Sequence, residues 1–182
     1  MSETGTKLTD RNQPIRMCIG DALIHLMETK PLGEIKITEI AAAAHISRMT
    51  FYKYYESKAN VLKDYLYEIV HSYIEDVKST PEVGGFHDYT HICHCFRFFQ
   101  QHSSFILTLI RTGMYSILID ALNHYMDTYV LPYTTHHTRY ELYYYSGALC
   151  NTFVKWIEAG MQETPEEIAA LVYQHTKNRT VL

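Results

Sequence analysis

The stretch 86–102, "FHDYTHICHCFRFFQQH", holds the side chains best equipped for chemistry. On a helix, His87, His91, His94 or Cys95, Phe98 and His102 share one face at turn spacing. Imidazole and thiolate spaced one turn apart can bind a transition metal. No CxxC pair or HExxH accompanies them, and Cys93 and Cys95 fall on different helix faces. The competing reading is a core helix whose histidines are hydrogen-bonded or face solvent, so no metal and no cofactor are expected. Nor does the chain offer paired carboxylates, a nucleophile–base arrangement or a glycine-rich phosphate loop, which argues against an enzyme.

A second stretch, 46–58, reads "ISRMTFYKYYESK" and crowds cations and tyrosines behind the alanine-rich "ITEIAAAAH". At about 100° per residue, Arg48, Met49, Tyr52 and Lys53 spread over an arc of about 140°. Phe51 and Tyr55 fall on the other side, with Ile46 just before them. One face can dock on neighbouring helices. The other offers a cation at each end, a phenol and a thioether, which suits a DNA major groove. Thr38 at the start of one helix, and Ser57 and Lys58 at the start of another, present hydroxyls and free backbone N–H groups to phosphate oxygens.

These residues need helices to hold them, and nearly every segment reads as helix. Ile15, Cys18, Ile19, Ala22, Leu23, Leu26 and Met27 keep a 3.6-residue period behind Pro14, and "KPLG" (30–33) ends that helix. Thr38 is the expected N-cap of a short second helix, and a third follows His45 and Ile46. Ser57 caps a fourth, along which Val61 to Val77 stay in phase. "STPEVGG" (79–85) is the clearest break. Helices are expected beyond it at about 86–102, 104–111, 114–130, 139–160 and 165–177, the last opened by the capping box of "ETPEE". The fold class is all-α with about nine helices. Residues 1–9 form a tail, 10–63 a three-helix helix-turn-helix domain with its fourth helix running on to about 78, and 79–182 a second helical domain.

The 182 residues carry a net charge of −4, unevenly spread. Residues 1–63 hold nine Lys/Arg against seven acids, and the remainder seven against thirteen. Within 45–63 the balance is four to one. A basic front on an acidic body is compatible with a nucleic-acid partner at one end. "MSETGTKLTD" lacks the apolar run of a signal peptide, no long apolar stretch suggests a membrane span, and the four cysteines are not spaced as a disulfide scaffold. A cytoplasmic protein with reduced thiols is expected.

"ITEIAAAAHISRMTFYKYYESKANVL" (37–62) resembles the DNA-binding signature of the TetR family of bacterial transcriptional regulators, with cap, turn, recognition helix and Ser-Lys in register. The resemblance implies a homodimer with one recognition helix in each half-site of a palindromic operator. It makes Thr38, Tyr52, Tyr54 and Lys58 phosphate contacts, and Ser47, Arg48, Met49, Thr50 and Lys53 the groove-facing set. Three positions depart from it. His45 stands where a turn glycine is usual, Met49 replaces a small residue, and Tyr54-Tyr55 replaces His-Phe.

The family's C-terminal half dimerises and often holds an effector. In helix 139–160, Leu142, Leu149, Phe153 and Trp156 form one apolar stripe and Tyr143, Cys150, Val154 and Ile157 another. Two stripes call for two partners, the chain's own core and a second subunit. With Ile168, Leu171 and Val172 of the last helix, the first stripe is the expected dimer interface. "FVKWIEAGMQETPEEIAALV" also resembles the C-terminal domain of regulators of dihydroxyacetone kinase operons. Sixteen tyrosines are either packing or a pocket for an aromatic or amphiphilic effector, lined by Phe96, Phe105, Tyr115 and Trp156. The function expected is a repressor released by a small molecule. The alternatives are a regulator working through a protein co-regulator and, behind it, a metal-binding sensor or enzyme.

Overall fold

A computed structural model describes residues 12–135 and 137–177; the expected tail, 1–9, lies outside them. The described residues form nine α-helices and no strand. These are α1 (Gln13–Met27), α2 (Ile37–Ala43), α3 (Arg48–Tyr54), α4 (Lys58–Ser79), α5 (Tyr89–Gln100), α6 (Ser103–Arg111), α7 (Tyr115–Tyr125), α8 (Arg139–Glu158) and α9 (Pro165–Lys177). The chain divides into two compact units between Leu66 and Tyr67, and α4 runs through the division.

In the first unit, Ile19, Leu23, Ile35, Ile40, Phe51, Val61 and Leu62 form the core. Phe51 is fully buried, worth roughly 3 kcal/mol of apolar transfer. Its ring lies 6.0 Å from that of Tyr55, also buried. α1 turns inward the stripe its apolar period suggests, with two additions and one exception. Cys18 is exposed, while Arg16 and Gly20 are buried beside Ile19, Ala22 and Leu23. Gly20 gives α4 its close approach: a Cβ there would stand 2.3 Å from Cδ2 of Tyr65.

In the second unit, α5 packs on α9, and α8 packs on α6 and α7. Tyr73 and Ile74 of α4 join Tyr125, Met126, Val130 and Leu142 in one cluster. α7 ends at Tyr125, earlier than expected. The chain then widens into a π turn (Met126–Val130) and tightens into a 3-10 turn (Leu131–Tyr133) that carries Pro132. α8 and α9 open on the capping boxes Thr138–Glu141 and Thr164–Glu167, the second at the expected place.

The interface expectation needs correcting. Leu142, Leu149, Trp156 and Ile168 are buried within the single chain, with Trp156 Nε1 donating to Glu163 O at 3.0 Å. Little of their surface remains outward in the single chain. Phe153 and Val172 are half-buried, and Leu171 is 49% exposed. The outward face of α8 consists instead of Tyr140, Tyr144, Ala148, Asn151, Lys155 and Glu158. Periodicity finds apolar stripes but does not say which neighbour covers each.

Candidate nucleic-acid interface

The turn before α3 is a Schellman motif. His45 N–H donates to Ala42 O (3.1 Å) and Ile46 N–H to Ala41 O (2.9 Å), with His45 in the left-handed region at φ 54°. Ser47 is the N-cap of α3: its Oγ accepts the Thr50 N–H at 3.0 Å and lies 2.9 Å from Thr50 Oγ1. Phe51 then pins the helix to the core, which fixes the face opposite. On that face Arg48, Met49, Tyr52 and Lys53 are all exposed, Met49 by 85% and Tyr52 by 53%. Lys53 Nζ sits 5.6 Å from the centre of the Tyr54 ring. The arrangement offers two cations, a phenol and a thioether on one short helix, free to enter a groove.

Of the other expected contacts, all but Thr38 and Tyr52 are already engaged. Thr38 is exposed at the second position of α2, because Lys36 takes the N-cap and donates its backbone N–H to Glu39 Oε2 at 2.9 Å. The Thr38 hydroxyl therefore stays available. Ser47 and Thr50 bond each other, and Tyr54 donates to Asn12 Oδ1 at 3.3 Å. Lys58 differs most from expectation. Its ammonium donates to the carbonyls of Leu32, Ile35 (2.7 Å) and Gly33 (3.5 Å). An ammonium has three N–H donors, and all three are used to close the α1–α2 loop. Lys58 is a latch for that loop rather than a free phosphate contact.

The groups that hold α3 in place were missed in the sequence. Arg16 forks onto Asp64, Nε to Oδ2 and Nη2 to Oδ1, both at 2.7 Å, and Tyr55 donates its hydroxyl to the same carboxylate. This network ties α1, the end of α3 and α4 together. Burial works against the Arg16 charge, but its bonds to Asp64 outweigh that and hold its pKa above the ordinary arginine value. Burial, then the bond to Asp64, pushes the Tyr55 phenol up, so it remains a donor. Removing one partner would leave a largely buried charge unpaired, a loss of about 3–5 kcal/mol. One signal was present: Arg16 is in phase with Ile19 and Leu23, a cation on the stripe that faces the core.

The second unit disperses the histidine stretch. His91 is buried, with Nδ1 3.2 Å from Gly84 O and Nε2 2.9 Å from the Tyr73 hydroxyl. His94 Nε2 lies 2.7 Å from Asp76, and His87 faces His137 with ring centres 6.0 Å apart. Among the described residues no group of three or more His, Cys, Asp or Glu is placed to hold a metal ion. Phe96 and Phe105, offered as pocket lining, are buried, and the Phe96 ring is enclosed by Phe153 and Trp156, each 5.5 Å away. Tyr115 is half-buried, and burial first, then Cys150, pushes its phenol up to about 12. No described helix is long and apolar enough to cross a membrane.

Two family models and several solved structures match this chain. The family described as "Bacterial regulatory proteins, tetR family" matches residues 19–65, and "Transcriptional regulator C-terminal region" matches residues 87–178. No curated protein sequence matches. Among solved structures, a putative TetR-family transcriptional regulator from Syntrophomonas wolfei superposes with a TM-score of 0.65 at 16% identity, covering 94% of this chain and 97% of that one. The dihydroxyacetone kinase operon activator DhaS gives 0.57 at 15%, covering 88% and 92%. The regulator FadR from Bacillus subtilis in complex with stearoyl-CoA gives 0.55 at 14%, covering 87% and 95%.

Proposed function

This chain belongs to the TetR family of bacterial transcriptional regulators, and on that premise we propose that it is a cytoplasmic, homodimeric repressor that binds a palindromic operator. Residues 10–63 read the DNA, α4 connects as far as about residue 78, and residues 79–182 dimerise and respond to a small molecule. The observation that carries this reading is the exposed face of α3. Arg48, Met49, Tyr52 and Lys53 stand out from a helix whose other face is fixed by Phe51. Arg48 and Lys53 read base edges together with Met49, Ser47 and Thr50; Thr38, Tyr52 and Tyr54 position the phosphates.

Dimerisation falls to the outward faces of α8 and α9, through Tyr140, Tyr144, Ala148 and Leu171 flanked by Phe153 and Val172. Exposed aromatic side chains are enriched at such interfaces. Effector binding shifts the population toward a dimer whose recognition helices no longer fit successive major grooves. A long acyl chain is the ligand class to test first, because the B. subtilis regulator of the same fold was solved with stearoyl-CoA. A ligand reaching Phe96, Phe105 and Tyr115 must part the packing of Phe96 against Phe153 and Trp156. That enclosure favours the second reading, in which a protein co-regulator supplies the signal.

The test is a binding titration on a duplex enriched from random DNA, with the mass of the complex measured at several salt concentrations. The expected result is two chains per duplex and affinity falling steeply with salt. One chain per duplex, or a shallow salt dependence, contradicts the reading. Release by acyl-CoA with purified protein alone separates the effector from the co-regulator.

A further inference from the structure

Among the described residues, three helices end in the same hydrogen-bond pattern. After α6, Met114 N–H donates to Leu109 O (2.9 Å) and Gly113 N–H to Ile110 O (3.0 Å). After α8, Met161 N–H donates to Trp156 O (2.9 Å) and Gly160 N–H to Ile157 O (2.9 Å). After α2, Ile46 and His45 make the equivalent pair. The residue that first turns left-handed is glycine in the first two, at φ 75° and 84°, and Met161 follows Gly160 into that region at φ 52°. In the third it is His45, at φ 54°. A side chain opposes that conformation, and histidine is tolerated there less well than glycine.

Packing does not explain the histidine. His45 is exposed, and no hydrogen bond, ion pair or ring contact engages its side chain among the described residues. His45 lies two residues before Ser47, the N-cap of α3, and three before Arg48 at the edge of the exposed face. In a helix-turn-helix the recognition helix enters the groove by its N-terminal residues while the preceding helix crosses the sugar–phosphate backbone. In that docking arrangement the turn joins the helix in the groove to the helix that crosses the sugar–phosphate backbone.

We propose that His45 is an additional DNA contact that donates a hydrogen bond to a backbone phosphate, and that the chain holds a strained turn to keep it there. This rests on the reading of α3 as the DNA-facing helix. The residue positions the protein on the duplex and carries no base preference of its own.

The experiment compares His45→Gly, His45→Asn and Arg48→Ala with the parent chain, measuring melting temperature and affinity for the enriched duplex and its single-base variants. His45→Gly relieves the turn and should raise the melting temperature by about 3 °C. It should also weaken binding about tenfold, evenly across the variants, because a hydrogen bond to a charged group is lost. His45→Asn tolerates the left-handed region and keeps an N–H donor, so it should recover much of the affinity. A more stable His45→Gly protein with unchanged affinity overturns the proposal. Weakening by Arg48→Ala in that case leaves the interface reading standing; unchanged binding by both variants removes both.

Discussion

At Lys58 and Arg48 the same charge meets different fates. Arg48 has no partner among the described residues, whereas the Lys58 ammonium is taken up by the carbonyls of Leu32, Gly33 and Ile35. Arg48→Ala should therefore relax one operator position in each half-site, costing about 1–3 kcal/mol of discrimination there. A selection profile identical to the parent's would contradict that role. Lys58→Ala should instead unlatch the α1–α2 loop and cost about 1–3 kcal/mol of stability, read by denaturant titration. Unchanged stability with uniformly weaker DNA binding would return Lys58 to the phosphate-contacting set. The sequence announces the cation and its place at the head of α4. It does not announce the carbonyls, since these come from a loop more than twenty residues away whose path depends on the fold.

Among the elements, legibility follows the range of the interactions. The start of α9 could be read from "ETPEE" because Thr164 and Glu167 cap each other locally. Phe51 could be assigned to the core because its helix is short and its other face is charged. The end of α7 could not be read: the π turn at Met126–Val130 buries Met126 and Val130 in a cluster with Tyr73 and Leu142, an arrangement set by distant residues. The inward stripe of α1 is legible except at its edges, because an apolar period misses Arg16, which lies inward, and includes Cys18, which lies outward. Gly20 tests the resulting α1–α4 contact. A methyl there meets the Tyr65 ring, which its hydroxyl holds to Asp21 Oδ1 at 2.8 Å. Gly20→Ala should destabilise the protein by about 1–3 kcal/mol, even though alanine gains up to about 1 kcal/mol in helix propensity. A more stable variant in chemical denaturation would show that α1 and α4 are not packed this closely.

For the whole molecule, two histidines couple stability to pH. Burial lowers the pKa of His91, with the Gly84 carbonyl opposing and His94 and His87 adding to the effect, and burial lowers that of His102. The unfolded chain therefore takes up protons first as pH falls through about 6.5. The stability contributed by the neutral rings is complete above that value and is lost progressively as pH drops toward their folded pKa. Thermal melts between pH 7.5 and 5 should show this loss, and His91→Gln should make it shallower; an equally steep profile would assign it elsewhere. Assembly is tested on α8 and α9. Tyr144→Glu with Leu171→Glu should shift sedimentation from dimer to monomer, whereas a variant that stays dimeric would place the interface on another face.

The account rests on α3 as a reader of DNA sequence, and selection of bound duplexes from a random pool addresses that most directly. Two inverted half-sites centred about one helical turn apart, or a multiple of it, are the predicted result. No enrichment, or a single unpaired half-site, would contradict a homodimer that reads its operator through Arg48, Met49 and Lys53.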